Sequence, residues 1–438
     1  MRTAIDNLWL DVPYRPGPAL WGEHEADVAI LGGGYTGLAA AYFIRRRFPE
    51  KRVIVLESQY VGFGSSGRNS GGVSGTLGHN YRNLKRKHGV EKAVQLQGLI
   101  AHSFALVEGL IREHQIACDY QRTGRLIVAE TERQKRLLEE EIQACQEIGG
   151  NATWLDGQEA RSRFGSVKAL AAVRYPQEGT ADPVKFLRGM RRAAESLGAE
   201  VYEHSPCVRI EPGAKLTLYT PGARLRATDL VLATNAYPNP LKLLHYRVLP
   251  FYVYNIATEP LSPSQMDALG LQGRENTFNA QNLYWAVRPT ADDRLVFTEC
   301  DALYFYRIDR DHSHCPSAYQ SHQRLMVEKF PFLEGIRVTH RWGGRIAVTL
   351  DFLPTVGCTG RHGNIYYSGG YNGQGLCFSQ LAGKMIAALM AGEKSDLTTN
   401  MLVNRRLLGV PSALLTYAGI RSYKLYFVLW DRRLGRGA

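Results

Sequence analysis

Gly32-Gly33-Gly34-Tyr35-Thr36-Gly37 spells G-x-G-x-x-G, and Glu57 stands twenty positions after Gly37. Gly32 permits a tight turn, Gly34 lets the backbone approach a diphosphate, and Gly37 lets a helix pack closely on a strand. The diphosphate would rest on a helix N-terminus, where unbonded N–H groups and the helix dipole favour negative charge. Glu57 would accept hydrogen bonds from ribose hydroxyls and repel a 2′-phosphate, which disfavours NADP. A second stretch, Gly62-Phe63-Gly64-Ser65-Ser66-Gly67-Arg68-Asn69-Ser70-Gly71-Gly72, is poor core material. It suits a backbone nest lying along phosphates and a ring system.

The flanking elements make the fingerprint specific. Val28–Leu31 is a short apolar run, as in a strand buried on both faces; Tyr35–Arg47 reads as a helix and Arg52–Glu57 as a second strand. Together they predict a βαβ unit. Further helices are predicted over 131–148, capped by Thr131, over 183–197 and over 376–391. Strands are predicted at 199–202, 208–210 and 225–234, and the Tyr-, Phe-, Val- and Thr-rich segment 248–310 reads as an antiparallel sheet. The fold class expected is therefore α/β (α+β overall): a Rossmann-like dinucleotide domain with an inserted antiparallel β-sheet domain. The dinucleotide domain is expected at 27–80, 150–240 and 340–400, the inserted domain at 81–149 and 241–339, and a basic aromatic tail at 401–438. Residues 1–26, with three prolines, Trp9 and Trp21, read as an irregular arm laid on the surface.

Several ordered motifs carry a family resemblance. They are VLESQYVGFGSSGRNSGG, CDYQRTGRLIVAE, LATNAY, YWAVRPTADDRLVF, RWGGRIAVTLDFLPTVG and NIYYSGGYNGQG. From about residue 27 to 434 the chain resembles the glycine/D-amino-acid-oxidase-like flavoproteins, and among them the gamma-glutamylputrescine oxidoreductases. The resemblance implies FAD held by Gly32, Gly34, Gly37, Glu57, Ser65, Ser66, Arg68, Asn69 and Gly71. It implies roles near the cofactor for Val208, Thr234, Gly370, Gly373, Gly375 and Leu376. It also implies oxidation of a C–N bond in an amine or amino acid: a hydride passes from the carbon beside nitrogen to flavin N5, and water hydrolyses the imine. The substrate implied is a gamma-glutamylputrescine-like amine, with a cyclic imino acid such as L-pipecolate as the alternative, and O₂ or quinone as electron acceptor. The family often has His where this chain has Gln374, which keeps a hydrogen-bonding side chain and removes a titratable one.

The substrate pocket is expected in the inserted sheet and the loops facing the flavin. Tyr252, Tyr254, Tyr284, Trp285 and Tyr371 could cage an amine. A carboxylate would want an arginine fork. Amino-acid-oxidising relatives place one in a W-x-G-x-R-P strand. Aligned on Trp342 and Gly357, that position is Ile346, and Arg345 falls one residue early. In a strand such an offset turns the side chain to the other face unless a bulge restores register. Arg288 is the second choice, with a salt bridge to Asp292 or Asp293 as its ordinary role.

The 438 residues carry a net charge of +12. Half of the excess lies in residues 400–438, where Arg405, Arg406, Arg421, Lys424, Arg432, Arg433 and Arg436 stand against Asp431 alone. These cations alternate with Leu, Tyr, Phe and Trp, a pattern that suits either a helix on an anionic membrane surface or one closing over the flavin domain. The charge thus points away from nucleic acid, though a tRNA-modifying flavoenzyme and a non-catalytic flavin-binding protein are rival readings. Seven scattered cysteines without a C-x-x-C describe a reduced, cytoplasmic protein without a zinc framework. His312, His314, Cys315 and His322 match no ligand spacing. No stretch of about 20 apolar residues is free of charge and glycine, so no spanning helix is expected, only attachment to the inner membrane face through the tail.

Overall fold

The computed structural model describes residues 6–165, 168–306, 311–410 and 412–435. Arg436 of the tail lies outside them. The strand Gly22–Leu31 ends in four buried apolar residues, and each side of it pairs in parallel: Val53–Leu56 on one, Ala223–Leu232 on the other. Both neighbours are extended outward in parallel, by Glu200–Tyr202 and by Ile365–Gly369, and Thr355–Thr359 closes the edge antiparallel. The helix Tyr35–Arg47 covers one face of this sheet. Against it packs Gly375–Met390, where a Cβ on Gly383 would meet Ala39 and Ala40 at 2.6 Å. This close helix pair carries two glycine turns to the same edge of the sheet.

A second eight-stranded sheet runs in the spatial order Val338–Thr349, Val248–Thr258, Leu295–Leu303, Trp285–Pro289, Asn276–Asn279, Arg125–Ala129, Ala171–Tyr175, Thr153–Leu155. Its outer face buries Phe164, Tyr252, Tyr254, Trp285, Phe297 and Phe330. Its inner face looks toward the first sheet. The βαβ unit, the helices and the mixed α/β class agree with the sequence reading. Thr131 caps the helix Glu132–Glu147 by accepting the Gln134 N–H at 3.3 Å.

Three expectations need correction. Strand 153–155 pairs with 171–175, which pairs with 125–129, and 338–349 pairs with 248–258, so all three belong to the second sheet instead of the dinucleotide domain. Local periodicity reports a strand but not its partner. The arm is not merely surface-laid: Trp9 is buried, while Trp21 is 72% exposed. The tail forms a helix, Ala413–Gly435, which rests on the second sheet's loops and not on the flavin domain. One described helix, Tyr81–Glu113, is long and apolar enough to cross a membrane. Its Leu96, Ile100, Phe104 and Val107 form a stripe facing the core, as in an interior helix of a globular protein.

His79 joins the loop before that helix to the turn after Thr349. Its Nε2 lies 2.7 Å from the Asp351 carbonyl, and its ring packs on Phe352. Burial, with Lys87 nearby, pushes its pKa down to about 4. The unfolded chain would bind this proton near the ordinary histidine value of about 6.5, so stability is lost as pH falls from there toward 4. Urea midpoints measured across this window should decline, and His79→Gln should flatten the decline.

Candidate active site

Gly32 adopts φ +103°, a region closed to most side chains, and turns the chain beneath the Ala233 carbonyl and the Thr234 N–H. The helix Tyr35–Arg47 then starts at Gly34, which has no side chain to cap it, and this leaves the first-turn N–H groups beyond Tyr35 for a ligand. A Cβ on Gly34 would sit 2.9 Å from Ser66 Oγ, which accepts the Tyr35 N–H at 3.1 Å. Gly37 packs its Cα side on the Gly32 carbonyl. Glu57 ends the second strand, where its carboxylate accepts N–H groups of Gly33 at 2.8 Å and Gln59 at 3.0 Å. Burial pushes its pKa up.

The loop Gly62–Gly72 has little regular structure, and three successive carbonyls in it are satisfied from elsewhere. Asn7 Nδ2 donates to Gly67 O at 2.7 Å. Trp342 Nε1 donates to Arg68 O at 3.0 Å, with Asn255 Nδ2 at 3.4 Å. Trp9 Nε1 donates to Asn69 O at 2.8 Å. The Arg68 guanidinium lies over the Phe63 ring and donates to Ser313 Oγ at 2.6 Å; its buried Nε has no partner among the described residues. Ser65 Oγ donates to the Arg345 carbonyl, and the Gly71 N–H reaches Asn69 Oδ1 at 2.8 Å.

Between this loop, the glycine turn, the inner face of the second sheet and the turn Gly370–Gly375 lies a cavity of about 1280 Å³, its open mouth included. Asn255, Asn276, Phe278, Tyr284 and Thr298 line the sheet side; Asn372, Gln374 and Leu376 line the turn. Among the described residues, Arg68 and Arg345 are the charged ones that line it, and no described carboxylate, lysine or histidine does. At the turn, Asn372 takes a left-handed conformation, and its Oδ1 accepts the Thr349 N–H at 3.0 Å. Gln374 precedes the helix Gly375–Met390, again without a side-chain cap, and Ser74 Oγ donates to its Oε1. A second uncapped helix N-terminus therefore points its dipole at the cavity.

The family model for FAD-dependent oxidoreductases of the DAO type matches residues 27–389. The chain belongs to this family. A probable oxidoreductase OrdL of Haemophilus influenzae is 28% identical over 388 residues, covering 87% of this chain and 86% of that protein. Gamma-glutamylputrescine oxidoreductase of Escherichia coli is 29% identical over 397 residues, covering 89% of each. The crystal structure of glycine oxidase from Geobacillus kaustophilus superposes with a TM-score of 0.72 at 22% identity, covering 88% of this chain and 100% of that one, a likeness of fold. As a DAO-family oxidoreductase the chain uses FAD. The cradle fits it: two helix starts without a side-chain cap of their own, a half-buried carboxylate just after the strand, and a guanidinium nitrogen without a partner among the described residues in the loop between them.

Within this flavoenzyme the sequence-predicted residues divide. Gly34, Ser65, Ser66, Arg68, Asn69, Tyr284, Arg345, Tyr371, Gly373, Gln374, Gly375 and Leu376 come together around the cavity. Gly32, Gly37, Glu57, Gly71, Thr234 and Gly370 back it; Gly370 takes φ +75° and its N–H meets Asn235 Oδ1 at 3.2 Å. Val208 is 62% exposed at the sheet's far edge. Trp285 faces the outer core, 5.9 Å from Phe164 and 5.8 Å from Phe330, because alternation along its strand gives Ala286 to the cavity instead. Tyr252 and Tyr254 are on that outer face too, so of the five expected cage residues only Tyr284 and Tyr371 line the cavity. The Tyr371 hydroxyl is engaged by Thr36 Oγ1 at 2.6 Å and Ser368 Oγ at 2.8 Å; burial pushes its pKa up to about 12.

The two arginines settle differently. The ladder between Val248–Thr258 and Val338–Thr349 runs without a bulge through Tyr252↔Arg345 and Phe251↔Ile346. Arg345 therefore stays on the face opposite Ile346: its Nε donates to Tyr252 Oη at 2.5 Å, and its guanidinium lies over the Tyr237 and Tyr252 rings. Arg288 is buried beneath the cofactor loop with its guanidinium over the Trp9 ring, and burial lowers its pKa to about 10. Neither Asp292 nor Asp293 pairs with it; they pair with Arg294 and Arg274. Sequence reasoning missed Asn7, Ser74, Asn255, Asn276 and Thr298. The one available signal was an asparagine or threonine interrupting an apolar strand, as Asn255 does in VLPFYVYNIAT.

His312 and His322 also part company: His312 stacks on Phe305, and His322 is buried against the Tyr254 carbonyl. Among the described residues no group of three or more His, Cys, Asp or Glu is placed to hold a metal.

Removing the arm's donors should loosen the cofactor loop. Asn7→Ala combined with Trp9→Phe should weaken FAD binding at least about tenfold, since two orphaned carbonyls at about 1–3 kcal/mol each exceed the roughly 1.4 kcal/mol of a tenfold change; equilibrium ultrafiltration of FAD measures it, and equal retention in both proteins would contradict it. Arg345→Ala should keep FAD and leave KM within about threefold; a rise above that would bring its guanidinium into the substrate site.

Proposed function

We propose that this flavoenzyme oxidises the C–N bond of a gamma-glutamylputrescine-like amine. One observation carries the reading: the strand that would offer an arginine to a substrate carboxylate turns Ile346 and not Arg345 toward the flavin face. The Escherichia coli relative named for gamma-glutamylputrescine supports the same substrate class.

Gly32, Gly34, Gly37 and Glu57 would hold the dinucleotide portion of FAD. The loop Ser65–Gly71 and the turn Gly370–Leu376 would hold its ring portion. Bound FAD supplies a hydride acceptor for the carbon beside nitrogen, leaving an imine that water hydrolyses. The chain's own share is selection and orientation. With no carboxylate among the described lining residues, an ammonium ion entering the cavity finds no counter-charge there, so desolvation favours the neutral amine, the form that can lose hydride. Asn255, Asn276 and Thr298 offer uncharged hydrogen-bonding groups along the sheet wall, and Thr298 Oγ1 fixes Asn255 by donating to its Oδ1 at 2.5 Å. Tyr284, packed edge-on to Phe278, supplies an aromatic wall for the carbon chain. Ser74 orients the Gln374 amide at the opposite end. No side chain is needed as a general base.

The electron acceptor is O₂ or a quinone. Anaerobic bleaching of the flavin band near about 450 nm tests the reading across gamma-glutamylputrescine, putrescine, L-pipecolate, proline and sarcosine. Gamma-glutamylputrescine should reduce the flavin fastest, at a rate that rises with pH as its amine deprotonates. Faster bleaching by L-pipecolate would replace the amine with a cyclic imino acid, and a flavin that no compound bleaches would sink both. Readmitting air or adding a soluble quinone then identifies the acceptor.

A further inference from the structure

The helix Ala413–Gly435 carries, besides the partly buried Ile420 and Phe427 on its inward side, an apolar stripe turned away from the protein. Its inward stripe is marked by the buried Thr416 and Asp431. Asp431 fastens it: one carboxylate oxygen accepts Asn282 N–H at 3.1 Å and Asn282 Nδ2 at 2.8 Å, and the other accepts Leu283 N–H at 2.8 Å. Tyr417 rests on Tyr306, and Trp430 lies beneath the Arg133 guanidinium. At about 100° per residue, Leu414, Leu425 and Leu429 fall on the opposite side, with Leu415 and Tyr426 beside them. All five are more than half exposed. Leucine stripes of amphipathic helices ordinarily face the core, and an apolar face left in water is a binding surface.

The charge beside the stripe names its partner. Arg421, Arg432 and Arg433 are exposed along its borders. The helix's sole acid, Asp431, is buried and spent on the Asn282–Leu283 backbone. A surface that is apolar at its centre, tyrosine-bearing and cationic at its edges complements the interface of an anionic bilayer. A second copy of this helix would instead bring like charges together.

We propose that this helix lies in the headgroup region of an anionic membrane leaflet and holds the enzyme there as a peripheral protein. The docking stands independently of which amine is oxidised. The test is flotation of the FAD-loaded full chain with phosphatidylcholine vesicles that contain or lack phosphatidylglycerol. The protein should float with the anionic vesicles and remain below with neutral ones. Leu425→Glu with Leu429→Glu should cut the floating fraction at least about tenfold, with FAD content unchanged. Arg432→Ala with Arg433→Ala, which leaves the apolar stripe and the Asp431 clasp intact, should lose the preference for anionic vesicles; it decides the matter if the glutamate variant fails to fold. Absence of flotation, or equal flotation of wild type and both variants, would overturn the proposal. So would a concentration-dependent dimer that the glutamates convert to monomer, since that would give the face to a second copy.

Discussion

Three consecutive backbone carbonyls, of Gly67, Arg68 and Asn69, depend on donors from distant parts of the chain. A buried carbonyl without a partner is expensive, so the loop can hold one shape only where those donors are present. Asn7 and Trp9 come from the N-terminal arm, and Asn255 and Trp342 come from two adjacent strands of the second sheet. The flavin cradle is thus shared between two sheets, although its glycine fingerprint lies wholly in one. Trp9 and Trp342 meet edge to face, 6.2 Å apart, so the two indoles that serve neighbouring carbonyls also brace each other.

What could be read from the residues is what depends on local order. The turn at Gly32, the helix after Gly34 and the carboxylate at Glu57 follow from spacing alone, and the helix ends were legible from Thr131 and from the apolar period after Gly375. The offset of Arg345 from the expected arginine position was legible too, because a strand's alternation is as strict in sequence as in space. Pairing was not. Strands 153–155 and 171–175 carry no mark of the sheet they join, and Trp285 and Ala286 differ only in which face their strand turns inward. The arm's role was hidden for a related reason: Asn7 and Trp9 act through a single side-chain donor each, and such a contact leaves no period.

Arg345 apart, whose guanidinium turns to Tyr252 and Tyr237, the sheet side of the cavity is polar without charge among the described residues. Asn255, Asn276, Thr298 and Gln374 are groups whose hydrogen-bonding capacity does not change with pH, and two of them are already oriented by a neighbouring hydroxyl. Such a wall can position a substrate nitrogen without competing for its proton. The cations of the site sit behind this wall or along the cofactor loop, where they face aromatic rings and backbone.

The sharing of the cradle also sets an order of events during synthesis. Arg68 and Trp342 are separated by 274 residues. At roughly 5–20 residues per second, a ribosome needs on the order of a quarter of a minute or more to deliver the second indole after the first carbonyl has emerged. Through that interval the nascent chain holds a complete fingerprint and an incomplete nest. A complete nest for FAD therefore has to wait until Trp342 has left the exit tunnel.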